Sequence, residues 1–404
     1  MNLRPNPDAP IGSAAHPWAS TDMPSLRPGP PFHMTEMIKA EPALAIRILD
    51  RLARTGEATR LANTVRSAAG GGQPVLVVGC GTSEHAAQAV AEQLRRALHD
   101  AGLPSSPGAG GGPIPIQAFE ASLVPGFGGR DAIVIGVSHE GGTWATNRAL
   151  EAARASGATT AIVTASGHSP GAAIADIVIE TVELDTSWCH TVGYVSPIVA
   201  GLAVAAELSG SRIDRLSLRR VLAAGLEAPA VEATEALADR LAGADRLIVT
   251  ASGADRIAGR ELALKIEEGA HIPTTFRELE TVLHGHLAGM DDRTGLILIL
   301  TDRDGRPDRV RRAAQVLAAG REIGVRAGAI VAEGAAADLA VDLTPAGRLV
   351  VPEAPSLPSG AAALLGSAVP LQLLTERLAR ARAVNPDPIH RDDPAYRRAA
   401  EAAG

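Results

Sequence analysis

The stretch PVLVVGCGTSEHAAQAVAEQL, residues 74–94, decides the fold. It opens with a continuous apolar run ending at Val78, the pattern of a strand buried on both faces of a parallel sheet. The turn Gly79-Cys80-Gly81-Thr82-Ser83 follows, and a helical pattern then runs over residues 84–100. Strand, glycine turn and helix in this order aim backbone N–H groups and a helix N-terminus at an anion. The turn lacks the last glycine of a dinucleotide fingerprint and the lysine of a P-loop, so neither nucleotide motif is present. Two hydroxyls after the glycines fit an oxyanion or sugar site.

Working outward, residues 33–70 read as helical and residues 1–31, rich in Pro, Gly and Ser, as a disordered or extended arm. Strands are expected near residues 114–119, 132–137, 159–164 and 177–179, with a closing helix over 193–208. The second of these strands ends in another turn, Ser138-His139-Glu140-Gly141-Gly142-Thr143. Ligands of parallel sheets sit beyond the carboxyl ends of strands, so both turns are expected to face one crevice. The order then recurs. Arg246-Leu247-Ile248-Val249-Thr250 runs into Ala251-Ser252-Gly253-Ala254-Asp255 and a helix, and strands near 296–300 and 329–331 follow. Gly81 and Gly253 head equivalent turns, as do Ser138 and Thr301, which marks an internal duplication. The fold class is α/β: two tandem three-layer αβα sandwiches with parallel sheets. The expected divisions are 1–31 (arm), 32–212 (first sandwich with its N-terminal helices), 213–384 (second sandwich) and 385–404 (C-terminal tail). A last helix is read over 361–383.

The bulk properties narrow the function. A net charge of -7 and no basic cluster disfavour nucleic acid. Two cysteines, Cys80 and Cys189, make no disulfide framework and no metal-ligand spacing, which suits a reducing cytoplasm. No apolar run approaches the roughly 20 residues of a membrane span, and the N-terminus has no secretory pattern. Arginine supplies nearly all positive charge: lysine occurs twice, as Lys39 and Lys265. Lysine is a compact charge with a tunable pKa, where arginine is a fixed planar fork.

Lys265 lies in ELALKIEEGAHIPTTFRELETVLHGHLAGMD, residues 261–291. Glu261, Lys265 and Glu268 share one helix face. A solvated ion pair is the bland reading of such spacing, but Leu262, Ala263, Leu264 and Ile266 make the helix poorly solvated. His284 and His286 flank Gly285 further on. No third ligand accompanies them at a convincing spacing, so neither a metal nor any other cofactor is expected. A histidine, a carboxylate and an ammonium in one site form a set suited to acid–base work on a sugar.

These residues resemble the sugar-isomerase (SIS) domain family in its duplicated form, the architecture of the isomerase half of glucosamine-6-phosphate synthase. The resemblance extends from about His33 to about Ala383. Gly81-Thr82-Ser83 matches the first sugar-phosphate turn, and Ser138 to Thr143 stands in the place of Ser-Gln-Ser-Gly-Glu-Thr. Ala263-Leu264-Lys265-Ile266-Glu267-Glu268 followed by His284-Gly285 is similar to Ala-Leu-Lys-x-x-Glu … His-Gly. The resemblance implies that Glu268 is the base moving a proton between C1 and C2 of an open-chain sugar through an enediol-type intermediate. It implies that His284 opens the ring from a neighbouring subunit, hence a homodimer with a shared active site, and that Lys265 supplies positive charge. Thr82, Ser83, Ser138 and Thr143 would hold a phosphate with the N–H groups of Gly141 and Gly142, and Gly81, His139, Glu140 and His286 would join them in binding the substrate.

The pattern departs from the family at four places. Glu140 replaces a phosphate-binding Ser, His286 replaces the Pro after His-Gly, and Thr281 replaces a Glu. The tail Asn385-Pro386-Asp387-Pro388-Ile389-His390-Arg391 has no lysine, which leaves His390 or Arg391 to take that position. No glutaminase domain and no cysteine at residue 2 are present, so glutamine-dependent amination is not expected of this chain. The expected function is an aldose–ketose isomerase-type enzyme acting on a sugar phosphate or amino-sugar phosphate, with amine release as deaminase or deglycase within the same chemistry. The alternative is a sugar-binding sensor or pseudoenzyme.

Overall fold

The computed structural model describes residues 24–106 and 112–402; most of the N-terminal arm lies outside them. Two helices lead, α1 (His33–Thr55) and α2 (Glu57–Gly70). The first repeat is β1 (Val75–Gly79), α3 (Thr82–Asp100), β2 (Pro113–Gln117), α4 (Ala118–Ser122), β3 (Ile133–Val137), α5 (Trp144–Ala155), β4 (Thr159–Thr164), α6 (Pro170–Ile174), β5 (Ile177–Glu180) and α7 (Val192–Ser209). Helices α8 (Arg215–Ala224) and α9 (Ala228–Leu241) connect the repeats. The second is β6 (Arg246–Ala251), α10 (Asp255–Ala270), β7 (Thr274–Glu278), α11 (Leu279–Val282), β8 (Thr294–Leu300), α12 (Arg306–Glu322), β9 (Arg326–Ala332), α13 (Glu333–Ala336), β10 (Gly347–Val351) and α14 (Ser359–Ala381), and α15 (Pro394–Ala402) lies in the tail.

The two sheets have the same topology. Their orders are β2-β1-β3-β4-β5 and β7-β6-β8-β9-β10, and every pairing is parallel. The central strands β1, β3 and β8 are buried along their whole length, as runs without polar alternation require. Successive side chains serve different cores: Val75 and Val77 join the large core, Leu76 and Val78 the smaller one beneath α5. The large core is continuous through both repeats, from Met34 of α1 to Leu378 of α14, while a third cluster lies under α12.

Three readings are corrected. The edge strands β7 and β10 are absent from the expected list; TTFRE and GRLVV are only partly buried and too polar to read as strands. The polar tail contains a helix, α15. Helix α7 is long and apolar enough to cross a membrane by length and composition, and 89% of its apolar window is buried inside the protein. It packs between α1, α2 and α3, so its all-round apolarity serves the core.

Candidate active site

In each sheet the chain turns from one side to the other between two adjacent strands, and in the first sheet these are β1 and β3. A crevice opens at the carboxyl ends of such a pair. Both expected turns stand there. At the first, a Cβ on Gly79 would lie 2.3 Å from the Ser83 carbonyl oxygen, so only glycine lets the chain fold back into α3. At the second, Gly141 has φ +67° and its missing Cβ would meet Ser169 Oγ at 2.1 Å. No side chain caps α3 or α5, whose first turns begin at these two loops. Ser138 and Thr143 face each other across the second turn, Oγ to Oγ1, at 3.1 Å. Ser83, Glu140 and Thr143 are half-buried, Gly141 and Gly142 buried, Gly81 exposed.

From the second repeat, α10 delivers the charged residues. Lys265 is fully buried and pairs with Glu268 and, at 3.7 Å, with Glu261 Oε1. Glu261 also accepts from Thr82 Oγ1 at 3.2 Å, and its other oxygen lies 2.7 Å from His85 Nδ1. Thr82 is thus bonded inward to a carboxylate. Burial opposes the Lys265 charge, but Glu268 and Glu261 outweigh it and raise its pKa, so it stays an ammonium. Glu261 is likewise opposed by burial, yet Lys265 and the His85 and Thr82 bonds hold it below the usual carboxylate range. Glu268 alone of the three keeps a partly exposed side chain, at 24%.

The loop between β5 and α7 and the tail close the surround. Asp185 accepts from the backbone N–H groups of Thr191, Val192 and Gly193, fixing the start of α7. Its own N–H donates to His139 Nε2 at 3.0 Å, which leaves the ring proton on Nδ1. Burial lowers the His139 pKa, with Asp185 opposing. Asp387 in the tail accepts from the N–H groups of His33 and Met34, and its carbonyl from Trp188 N–H, which anchors the tail. Arg391 lies 4.7 Å above the Trp188 ring and within electrostatic reach of both Glu268 and Glu140. His390 stacks instead on His271, ring centres 3.3 Å apart, and on Tyr396.

The two remaining expected residues stand elsewhere on the chain. His284 is exposed and pairs with Glu280 Oε1 at 2.9 Å, itself held by Arg312. His286 lines a separate cavity of about 280 Å³ beside Glu267 and Arg277. Among the described residues, His85, Asp185 and Trp188 were not anticipated from sequence. His85 sits one turn into α3 on the crevice side, a spacing from Thr82 that was readable; Asp185 and Trp188 lie in a loop with no motif.

The comparisons with known proteins agree with this architecture. Residues 240–333 match the SIS domain model. None of the curated proteins matches the chain. Among solved structures, the C-terminal domain of glucosamine-fructose-6-phosphate aminotransferase from Francisella tularensis superposes with a TM-score of 0.70 at 16% identity, covering 89% of this chain and 99% of that one. Tagatose-6-phosphate ketose/aldose isomerase from Escherichia coli gives 0.69 at 16%, covering 91% and 97%. Glucosamine-6-phosphate deaminase from Thermotoga maritima gives 0.64 at 17%, covering 88% and 96%. The second sandwich is an SIS domain, and the chain as a whole has the double-SIS fold.

Proposed function

We propose that the chain is an aldose–ketose isomerase-type enzyme for a hexose phosphate or amino-sugar phosphate, acting in the cytoplasm without glutamine. The observation that carries this reading is the buried ammonium of Lys265, pressed against a partly exposed Glu268 and held by Glu261, which is itself bonded to Thr82 of the first turn. A sensor has no need of a carboxylate so placed. In this reading the uncapped starts of α3 and α5, with Ser83, Ser138, Thr143 and the Gly141 and Gly142 amides, take the phosphate. Glu268 removes the proton from C2 and returns it to C1, and the positive field of Lys265 steadies the enediolate oxygen. Arg391 offsets the charge of Glu140 and adds a cation from the tail. His284, exposed on its own chain, serves the site of a second copy, where it opens the sugar ring. An amino substituent at C2 would become a C2 imine as the proton returns to C1, and water would then hydrolyse that imine to the ketone and release ammonia.

Proton exchange at C2 in deuterated water tests the reading. NMR over a panel of hexose and hexosamine 6-phosphates should show exchange that depends on Glu268. Silence across that panel with folded protein would move the assignment to a sugar-phosphate sensor.

A further inference from the structure

Helix α1 buries a carboxyl group that the proposed chemistry does not use. Glu41 is fully buried, and among the described residues neither of its oxygens has a hydrogen-bond partner. Its polar neighbour is the Gln372 side chain on α14, also fully buried, whose Oε1 is unpartnered too. The pair sets three sealed acceptor oxygens against one amide group. One hydrogen of that amide is already spent on the Thr191 carbonyl, at 3.2 Å. The pair is short of hydrogen, and a protonated Glu41 supplies one. Among the described residues no cation compensates a Glu41 charge. The charge that acts on it is that of Asp185, of like sign, and the sealed hydroxyl of Tyr194 on α7 lies within its electrostatic reach. Burial pushes the Glu41 pKa well above the usual carboxylate range, with Gln372 opposing and Asp185 adding to the rise. A buried carboxyl without a counter-ion takes a proton rather than keep its charge.

Gln372 begins a chain of bonds that ends in the candidate active site. Thr191, whose carbonyl it holds, donates to Asp185 Oδ1 through its N–H at 3.1 Å and its hydroxyl at 3.2 Å. The Asp185 N–H donates in turn to His139 Nε2 in the second turn. There is no slack at that end: a Cβ on Gly193 would meet His139 Cγ at 3.1 Å and Asp185 Oδ2 at 3.2 Å. Every side chain in the series is more than nine-tenths buried, so water cannot replace a lost link. The series ties α1 and α14 to the loop between β5 and α7, and that loop to the turn Ser138 to Thr143.

We propose that Glu41 is a neutral carboxylic acid whose O–H bonds to Gln372, and that it is a positioning residue for the second turn, acting through Gln372, Thr191, Asp185 and His139. That the second turn holds substrate rests on the function proposed above; the protonation and the chain of contacts do not.

Three measurements on the full chain test it. Difference infrared spectra of wild type against Glu41→Gln at neutral pH should show the carbonyl stretch of a protonated carboxyl group in the wild type alone. A carboxylate band in its place overturns the proposal. Thermal unfolding should separate the same two proteins as pH rises. The unfolded chain ionises Glu41 above about 4.3 while the folded chain keeps the proton, so wild-type stability falls with rising pH relative to the variant. Melting curves that stay parallel from about pH 5 to 8 also overturn it. The third measurement reads position. Glu41→Gln can still donate to Gln372 and should keep both the NMR signals of the His139 ring nitrogens and the KM for a hexose 6-phosphate. Glu41→Leu should shift those signals and raise KM about fivefold or more, with kcat within about twofold. Gln372→Leu cuts the next link and takes its place if Glu41→Leu does not fold. Unmoved His139 signals in the folded variant overturn the positioning role. They do so without any substrate, so failure of this inference and failure of the proposed function are told apart.

Discussion

His85 and Glu261 meet at 2.7 Å, ring nitrogen to carboxylate, across the junction of the two repeats. One comes from α3, which starts at the turn Gly81-Thr82-Ser83, the other from α10, which carries Glu268. The contact makes the position of Glu268 depend on α3, since Glu261 also holds Lys265 and Lys265 holds Glu268. The site belongs to neither repeat alone.

Removing Glu261 should therefore damage stability before chemistry. Glu261→Ala leaves a buried ammonium with one partner and is expected to cost about 3–5 kcal/mol in denaturant unfolding. The pH dependence has a definite sign. The folded-state pKa of Glu261 is depressed, so its contribution is complete above the ordinary carboxylate value of about 4.3 and is lost as pH falls through the lower folded value. The wild-type acid unfolding profile should show this loss, and the variant should not.

Glu268→Gln should abolish exchange while sparing the fold, because Lys265 keeps Glu261. A fall of about 10²–10⁴-fold is the usual worth of a positioned general base. Full retained exchange would remove Glu268 from the mechanism.

His284 is exposed here and bonded only to its neighbour Glu280 in the second repeat. If it serves a second copy, His284→Ala and Glu268→Gln proteins should each be inactive alone yet complement on mixing. Random reassortment of a two-fold dimer restores about a quarter of wild-type activity. No recovery after verified subunit exchange would confine each site to one chain.

Arg391→Ala removes the cation that rests on Trp188 within electrostatic reach of Glu268 and Glu140. Binding of a phosphorylated sugar should weaken by about 10–100-fold, in line with a charge-assisted contact. Steady-state kinetics should place the loss mainly in KM, and an unchanged KM would exclude the tail from substrate binding.

The tail should also respond to acid through His271. Burial first, then the neighbouring His390 and Arg382, lower its pKa to about 4, with Asp392 and a Glu268 backbone bond opposing. A histidine that resists protonation when folded costs stability wherever the unfolded chain binds the proton. Stability should thus decline as pH falls from about 6.5 towards 4 and level off below. Hydrogen exchange at residues 385–393 should quicken over the same window, and His271→Asn should flatten it.

The central strands could be read directly because burial on both faces leaves a sequence no choice but apolar runs, as at Ile133–Val137 and Thr159–Thr164. The edge strands could not: Thr275, Arg277 and Glu278 meet solvent, and nothing local separates such a strand from a loop. The same division runs through the site. Glu261, Lys265 and Glu268 share a helix face and announce themselves by spacing. Their partners Thr82 and His85 lie 176 to 179 positions away, and only the packing of α10 on α3 brings them in. Arg391 was readable as one of two tail candidates; the fold separates the two, laying Arg391 over Trp188 within electrostatic reach of Glu268 and Glu140, and His390 on His271.

The single core running from α1 to α14 has a further consequence. Two sandwiches of one topology could each stand alone if each closed its own core. Here Leu94, Ile198, Leu262 and Leu374 all lie within one hydrophobic cluster, so either half made separately would expose a broad greasy face. The two repeats share one interior, and parting them would open it to water.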